Sequence, residues 1–262
     1  MSSIRLDLTM VERGLCEDQG KAKAIIMAGD VLVNGQKETR AGRKIVVKDD
    51  ITLKEKPRFA SRGGEKMEGA LTAFGIDVTE MVAADFGSST GGFTDCLLQR
   101  GAERVYAIDV GYGILDERVR THERVVSMER TNARHVQSLP EPIDIVVIDV
   151  SFISLSLMFP AVMRVLRPGG ICVPLIKPQF EAGPEHIGKR GVVREPAVHE
   201  MVLRNVLGYA SANGFTTLGL IASPLRGPNG NIEFLAHLSN GIPTDSPSHE
   251  EMIRNVMANL SA

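Results

Sequence analysis

The chain from residue 61 onward alternates short apolar runs with stretches in which apolar residues recur every three or four positions. Helical spacing from Met67 to Phe74 predicts a helix that ends at Gly75. The apolar runs predict strands at residues 81–84, 104–108, 124–126, 143–148, 171–175, 215–220 and 232–238. This alternation is typical of an α/β protein, and it predicts a doubly wound, Rossmann-like parallel sheet with helices on both faces.

The first 54 residues have a different pattern. Apolar residues at helical spacing predict two short helices, which end near Gly14 and Gly29. A short strand then leads into Asn34-Gly35, a strong signal for a two-residue hairpin. We therefore expect a small α+β domain at residues 1–57, a large domain at 58–241 and a tail at 242–262 that could form a short amphipathic helix.

The composition is that of a globular protein. Of 262 residues, 43% are hydrophobic and 24% are charged, which is enough to build a true core. The three cysteines have no paired spacing, so neither a disulfide framework nor a metal site is predicted. No signal-peptide pattern and no apolar stretch of the ~20 residues needed to span a membrane is present. We expect a cytoplasmic protein without a membrane partner, and no obligate protein partner can be read from the sequence.

The charge is unevenly distributed although the net charge is only −2. Residues 1–66 contain 14 Lys/Arg against 10 Asp/Glu, whereas the remainder contains 16 against 22. A basic small domain attached to an acidic larger one fits a module that binds a polyanion next to a catalytic domain.

A glycine-rich turn follows the predicted strand at 81–84 and precedes a predicted helix at 94–100. Such a turn lets a ligand approach the backbone beside the positive end of a helix. Asp109 ends the next strand, 24 residues after Asp85, where an acid commonly binds the hydroxyls of a nucleotide ribose. Ser89 replaces the glycine that admits a pyrophosphate, which favours a cofactor such as S-adenosylmethionine. The candidate cofactor-binding residues are Asp85, Gly87, Ser88, Ser89, Thr90, Gly91, Gly92, Phe93, Asp109 and Asn132.

The same turn permits a second interpretation. Gly87–Gly91 satisfies G-x-S-x-G, the nucleophile elbow of serine hydrolases, with Ser89 as the nucleophile. His186, His199 and His237 lie downstream as possible bases. A hydrolase would leave Asp109 without a role, so we treat it as the alternative.

The small domain carries a further pattern. The run Arg5-Leu6-Asp7, Arg13-Gly14-Leu15, Lys21-Ala22, Gly29-Asp30-Val31 and Val33-Asn34-Gly35 resembles the small RNA-binding domain first described in a small-subunit ribosomal protein. The resemblance implies binding to structured RNA. The usual serine-arginine opening of the second helix is replaced by Gln19-Gly20-Lys21. The Lys21 ammonium, a point charge, therefore stands where the family has an arginine guanidinium, a bidentate donor. The candidate RNA-binding residues are Arg5, Arg13, Lys21, Lys23, Lys37, Arg62, Lys189 and Arg190.

Four separated charged residues complete the pattern. FtsJ-like ribose 2′-O-methyltransferases have a catalytic Lys-Asp-Lys-Glu tetrad. This chain resembles them, because it has the same residue types in the same order and in matching contexts, at Lys66, Asp149, Lys177 and Glu233. With the RNA-binding module in front, residues 4–241 resemble the TlyA or haemolysin-A-like family of ribosomal RNA methyltransferases. The resemblance implies a methyltransferase sheet and methyl transfer from S-adenosylmethionine to a cytidine ribose in ribosomal RNA or ribosomal subunits.

The residue types fit that chemistry. A ribose hydroxyl is a poor nucleophile, and Lys177, near Lys66, could accept its proton or stabilise the forming alkoxide, while Asp149 and Glu233 orient these groups. Base methylation is disfavoured because the segment after Asp149 lacks the proline-rich motif of amine methylation and contains no cysteine.

Two other expectations concern function. A purely RNA-binding role in ribosome assembly is the non-catalytic alternative, but the intact tetrad favours catalysis. Membrane lysis is disfavoured, because the chain has no basic amphipathic helix. The long loop at 178–194 is expected to close over RNA, with a plain surface excursion as the alternative.

Overall fold

The computed structural model describes residues 3–54, 57–241 and 247–260. The chain divides into two compact units, Met1–Arg58 and Phe59–Ala262. Each unit is built around its own buried apolar residues.

The first unit has the predicted two helices and short strands. Its elements are β1 (Ile4–Arg5), α1 (Leu6–Glu12), α2 (Gln19–Ala28), β2 (Val31–Val33), β3 (Gln36–Glu38), β4 (Lys44–Ile45) and β5 (Ile51–Leu53). Strand β2 pairs antiparallel with β3 and β5, and β1 pairs with β4. The β2–β3 hairpin turns at Asn34 and Gly35, whose φ values of 53° and 75° match the predicted turn.

The second unit contains a seven-stranded sheet. Its elements are α3 (Gly63–Phe74), β6 (Val82–Phe86), α4 (Gly92–Gln99), β7 (Arg104–Ile108), α5 (Glu117–Arg120), β8 (Val125–Met128), β9 (Ile143–Ile148), α6 (Phe159–Val165), β10 (Leu166–Ile176), α7 (Pro178–Glu181), α8 (Pro196–Ala212), β11 (Phe215–Ala222), β12 (Phe234–Asn240) and α9 (His249–Leu260). The strand order is β11-β12-β10-β9-β6-β7-β8.

The order of these strands creates a crevice. From β6 the chain proceeds outward through β7 and β8, and then returns to place β9 and β10 on the other side of β6. The boundary between β6 and β9 is thus the point at which the direction of winding reverses. Ligands of open α/β sheets bind at the carboxyl ends of the strands at such a point.

One strand departs from the predicted parallel sheet. Strand β12 runs antiparallel to both β10 and β11, while the other neighbouring pairs are parallel. No crossover helix separates β11 from β12, and a parallel pair requires such a crossover. The reversal brings the beginning of β12 to the same edge of the sheet as the carboxyl end of β10.

Both faces of the sheet are covered. Helices α3 and α4 contribute Met67, Leu71 and Leu97 to the apolar cluster on one face. On the other face, α6 and α8 pack with α9, whose Met252, Ile253 and Val256 are buried. Residues 242–246 of the predicted tail lie outside the described residues, but the helix after them belongs to the second unit.

Candidate active site

The glycine-rich turn connects β6 to α4. Gly87 and Gly91 have φ values of 88° and 90°, and Ser89 adopts the left-handed region at 49°. A Cβ atom at Gly87 would lie 2.8 Å from the carbonyl oxygen of Asp149, so this position requires glycine. The turn therefore lies directly against the residue that follows β9.

Asp85 lies beneath this turn and is fully buried. Its Oδ2 accepts hydrogen bonds from the backbone N–H of Thr94, at 3.0 Å, and from the Thr94 hydroxyl, at 2.7 Å. Its Oδ1 has no hydrogen-bond partner among the described residues. Burial, opposed in part by the Thr94 hydrogen bonds, raises the pKa of Asp85 to about 7, and the charges of Asp149 and Asp109 add to the increase. A buried carboxylate with a free oxygen fits a cationic ligand group, either directly or through water.

Asp109 follows β7 and stabilises the turn from the side. Its Oδ2 accepts a hydrogen bond from the backbone N–H of Ser89 at 2.9 Å, and its Oδ1 accepts one from Gly111 at 2.7 Å. Each carboxylate oxygen can accept a further hydrogen bond, so ribose hydroxyls can still bind there. Asn132 uses its Oδ1 to cap the short 3₁₀ turn Ala133–His135 by accepting from Arg134.

The tetrad residues converge from three strands and one helix. Asp149 follows the last residue of β9, and Lys177 follows the last residue of β10. Ile176, the last residue of β10, pairs with Phe234, the first residue of β12. Because the two strands are antiparallel, Lys177 after Ile176 and Glu233 before Phe234 lie side by side at the same edge of the sheet. Lys66 reaches this position from the first turns of α3.

The tetrad forms two ion pairs. The Nζ atom of Lys177 lies 2.6 Å from Oδ1 of Asp149, and it also donates a hydrogen bond to the Ser151 hydroxyl at 3.0 Å. The Nζ atom of Lys66 lies 2.5 Å from Oε2 of Glu233. Each lysine thus has its own carboxylate, and all four side chains are mostly removed from solvent. Glu233 also accepts a hydrogen bond from Gln179 through Oε1, at 3.0 Å.

Three cavities surround these residues. The first, of about 400 Å³, is lined by the glycine turn together with Lys66 and Asp149. The second, of about 390 Å³, lies between Gly87, Asp109, Asn132 and Asp149. The third, of about 630 Å³, is lined by Lys177, Glu233 and loop residues that include Arg190. Asp149 lines the first two cavities, and its partner Lys177 lines the third.

Two of the predicted cofactor-binding residues, buried Asp85 and Gly91, are not among the described residues that line these three cavities. Ser88 and Thr90 line the first cavity together with Gly92 and Phe93. Phe93 is also buried in the apolar cluster between α3 and α4. Gly91 shapes the turn and leaves room for Leu115, because a Cβ atom at this position would lie 2.8 Å from a Leu115 methyl carbon.

Phe152 is a candidate that the sequence analysis missed. Its side chain is 90% exposed, and its backbone is left-handed, with φ of 63°. Its ring centroid lies 4.8 Å from that of Phe180, and both residues line the third cavity. An aromatic residue three positions after Asp149 was the available signal, but the sequence did not distinguish it from a core phenylalanine.

The loop after Lys177 is held at both ends. Gln179 binds Glu233 near its beginning, and the backbone N–H of Val193 donates to Oδ1 of Asn231 at 3.1 Å near its end. The Asn231 amide also donates to the carbonyl oxygen of Gly191 at 2.9 Å and to that of Pro228 at 3.2 Å. The structure therefore fixes much of the loop that we expected to close over RNA, and Asn231 is a second residue that the sequence analysis missed.

The candidate RNA-binding residues have varied surroundings. Arg5 pairs with buried Asp7, lowering the pKa of that carboxyl to about 2, and Lys21 pairs with Glu17. Arg13 donates to the carbonyl oxygens of Val47 and Asp49. The remaining candidates, all exposed, are Lys23, Lys37, Arg62, Lys189 and Arg190.

The hydrolase alternative finds no histidine base beside Ser89 among the described residues. Neither cavity that contains Ser89 has a histidine in its lining. His199 is buried on α8, and His237 in β12 packs on Phe74 of α3. His186 lies beside Glu185, with 3.6 Å between its Nε2 and the Glu185 Oε1 atom. Cys172 is also fully buried in β10, which raises its pKa and makes it unsuitable as a nucleophile.

Two features of the described ranges bear on other kinds of function. Across these ranges, no helix combines the length and apolar character needed to cross a membrane. Within the same ranges, no three His, Cys, Asp or Glu residues are grouped so as to hold a metal ion.

Comparison with known proteins identifies both units. Residues 59–240 match the FtsJ-like methyltransferase family, and residues 2–58 match the S4 domain. YqxC of Bacillus subtilis is 49% identical over 241 residues, which cover 89% of this chain and 85% of the relative. The Mycobacterium tuberculosis protein named 16S/23S rRNA (cytidine-2'-O)-methyltransferase TlyA is 40% identical over 238 residues, 89% of each chain.

A solved structure supports the same relationship over the whole chain. A Streptococcus thermophilus protein of known structure is 44% identical, with a TM-score of 0.73, and the match covers 100% of this chain and 98% of that one. The resemblance identified from the sequence is thereby confirmed. This chain belongs to the TlyA or haemolysin-A-like family, in which an S4 domain precedes an FtsJ-like methyltransferase domain.

Proposed function

We propose that this protein transfers a methyl group from S-adenosylmethionine to the 2′-hydroxyl of a cytidine ribose in ribosomal RNA. The proposal rests on one observation: two ion pairs, Lys66–Glu233 and Lys177–Asp149, lie beside the glycine turn. A relative covering most of the chain is named for the same reaction.

The first two cavities fit the cofactor. Asp109 would bind the ribose hydroxyls of the adenosine moiety, and Asn132 would lie beside the adenine in the second cavity. The N-terminus of α4 and the turn at Gly87 would face the methionine moiety in the first cavity. The unpartnered Oδ1 of Asp85 suits its ammonium group. When bound, S-adenosylmethionine supplies a methyl group on a positively charged sulfur.

The third cavity would receive the target nucleotide. Lys177, held by Asp149 and Ser151, would lie against the ribose 2′-oxygen. The Lys177 amine would accept the hydroxyl proton as the oxygen bonds to the methyl carbon, or the Lys177 ammonium would stabilise the oxygen while solvent water takes that proton. Glu233 fixes Lys66 and is itself fixed by Gln179, so the acceptor side of the site is preorganised. Most of the rate acceleration would come from this alignment.

Phe152 would hold the base of that nucleotide. Exposed aromatic rings bind unpaired bases by stacking, and the contact of Phe152 with Phe180 supports its orientation at the cavity. Reaching the 2′-hydroxyl of a structured RNA requires the nucleotide to leave its stack, and such a surface compensates for part of that cost.

The S4 domain would supply further RNA affinity. Its exposed Lys23 and Lys37 would contact RNA phosphates. Arg13 and Lys21 are weaker candidates, because each already has a partner within the domain. Lys189 and Arg190 would act in the same way from the loop of the second unit. A ribosomal RNA substrate would place the protein in the cytoplasm.

The test is methyl transfer from radiolabelled S-adenosylmethionine to unmethylated small and large ribosomal subunits. After nuclease digestion, label on a 2′-O-methylated nucleoside is expected from the wild-type protein and should be lost in Lys177→Met. Cofactor binding by Lys177→Met, measured by calorimetry, should remain within a factor of about two. Label on a base, or full activity of Lys177→Met, would contradict the proposal.

A further inference from the structure

Two arginines on the rim of the first cavity have no acidic partner among the described residues. Arg62 and Arg226 both line this cavity, and both are exposed. Among the described residues, no salt bridge includes either guanidinium; the hydrogen bonds of both go to backbone oxygens. An arginine without a counterion at the entrance of a binding cavity is available for an anionic ligand.

The two tetrad acids near this cavity are already paired with lysines. Asp149 is paired with Lys177, and Glu233 is paired with Lys66. The tetrad therefore contributes two positive and two negative charges in close pairs. The positive charge of the two arginines remains uncompensated at the cavity entrance, which favours an anion at this place.

The backbone holds the two arginines on one side of the cavity. Arg62 stands at the beginning of α3, one turn before Lys66, and its Nη2 donates to the carbonyl oxygen of Arg226 at 3.1 Å. The Arg226 side chain folds over its own turn, with Nη1 at 3.3 Å from the carbonyl oxygen of Gly230. Both side chains thus approach the same short segment of backbone.

That segment is pressed against the tetrad. A Cβ atom at Gly227 would lie 2.0 Å from Oε1 of Glu233, so only glycine allows the turn to approach so closely. The Gly227 N–H also donates to the carbonyl oxygen of Asn231 at 2.9 Å. Arg226 is consequently next to a hydrogen-bonded turn that lies against a tetrad residue.

We propose that Arg62 and Arg226 together bind the phosphodiester next to the target ribose. This inference rests on the proposed function, and it adds a phosphate subsite that includes Arg226. In RNA the 2′-hydroxyl is adjacent to the 3′-phosphate of the same nucleotide, so a group that binds this phosphate positions the reacting oxygen. Two guanidinium groups can donate several hydrogen bonds to phosphate oxygens, which a single lysine cannot match.

The test compares Arg226→Gln, Arg62→Gln and the double variant with wild type. Arg254→Gln is the control, because Arg254 is an exposed arginine on α9 and lines none of the three cavities. The Michaelis constant for unmethylated ribosomal subunits is measured at saturating S-adenosylmethionine and several salt concentrations. Binding of a fluorescent ribosomal RNA fragment is measured in parallel by anisotropy, a readout that needs no catalysis.

Each single Gln variant should raise the RNA Michaelis constant and dissociation constant by about 5- to 20-fold. The slope of log affinity against log salt should fall by about 0.7 to 0.9 for each phosphate that the variant no longer neutralises. Turnover at saturating RNA should fall as well, because the reacting oxygen is positioned less well, whereas the affinity for S-adenosylmethionine should change less than about twofold. Arg226→Lys should retain the salt dependence because it retains the charge, and Arg254→Gln should resemble wild type in every measurement.

Several outcomes would overturn the phosphate site. If Arg226→Gln has the same RNA affinity as wild type and the same slope of log affinity against log salt, Arg226 does not contact a phosphate. A loss of S-adenosylmethionine affinity with unchanged RNA affinity would assign the arginines to the cofactor carboxylate. A wild-type protein that binds RNA with the expected arginine dependence but transfers no methyl group would contradict the proposed function while supporting the phosphate site.

Discussion

The Nζ atom of Lys66 lies 2.5 Å from Oε2 of Glu233, although 167 residues separate them in the chain. Glu233 is 1% exposed and Lys66 is 8% exposed, so the pair is removed from water. Taking two charges out of water is costly, and their attraction offsets that cost only while both are present.

Lys66→Met should therefore destabilise the protein by about 3–5 kcal/mol, because it leaves the Glu233 carboxylate buried without its partner. Adding Glu233→Gln should restore part of this stability, since the neutral amide costs less to bury. Urea denaturation of the two variants measures the difference. Both should lose methyl transfer, and equal stability of the single and double variants would show that the pair is not coupled.

Phe152→Ala should leave stability within about 0.5 kcal/mol, because the side chain is exposed. Loss of base stacking, worth about 1–3 kcal/mol, should lower kcat/KM for ribosomal subunits by about 5- to 150-fold. Tyr209→Ala removes another exposed aromatic side chain, from α8, and should leave kcat/KM unchanged. Equal kcat/KM values for Phe152→Ala and wild type would remove Phe152 from the substrate site.

Cofactor affinity should increase as the pH rises from about 5.5 to 7.5. The carboxyl of Asp85, with a pKa of about 7, loses its proton over this interval and gains the charge that pairs with the ammonium of the cofactor. Calorimetric titrations of wild type and Asp85→Asn measure this dependence. The Asn variant should bind more weakly at pH 7.5 and show little pH dependence between the two limits.

The stability of the folded protein should depend on pH in the opposite sense to cofactor affinity, because the contribution of Asp85 decreases as the pH rises. The pKa of Asp85 is higher in the folded protein than its usual value of 3.8, so the folded state retains the proton more strongly. The stabilising contribution is complete below about pH 4 and is lost as the pH rises through about 7. Thermal unfolding should therefore show Asp85→Asn gaining stability relative to wild type over this range, and a constant difference would contradict the burial effect.

Asn231→Asp should impair the acceptor side of the site without affecting the cofactor side. The substitution replaces the amide that donates to Gly191 and Pro228 with a carboxylate oxygen facing two carbonyl oxygens. We expect kcat/KM for ribosomal subunits to fall by about 10- to 100-fold, with cofactor affinity unchanged.

Asn240→Asp is the matched control for this change. The Asn240 amide also donates to two carbonyl oxygens, those of Leu166 and Arg167, but at the opposite end of β12. Both variants should lose stability in urea, whereas only Asn231→Asp should lose activity at a temperature where both are folded. Comparable activity losses would indicate a general effect on folding instead of loop positioning.

Much of the α/β unit could be predicted from its strands. The run Ile143–Ile148 is apolar at nearly every position, and its end places Asp149 at the sheet edge without any structural information. The same reasoning places Lys177 after β10. The direction of β12 could not be predicted in this way, because an apolar run does not specify its neighbour or its orientation.

The candidate RNA-binding residues show a different limit. A basic residue is visible in the sequence, but its availability depends on its neighbours. Arg5 is held by Asp7, and Arg13 by carbonyl oxygens 34 and 36 positions away. Arg226, by contrast, has no acidic partner in the part of the chain that the structure describes. Phe152 is likewise exposed and has a left-handed backbone, and neither property is one that the residue type favours.

The sequence by itself identified the family, some of the helices and most strands, and it marked the four tetrad residues as candidates. These follow from short-range periodicity and from motifs that are read locally. The tertiary structure alone decided which lysine meets which carboxylate, which arginines lack an acid among the described residues and how Asn231 holds two loops together. Those relationships depend on strand register and on contacts across the sheet, where the free energy of each contact comes from residues far apart in the chain.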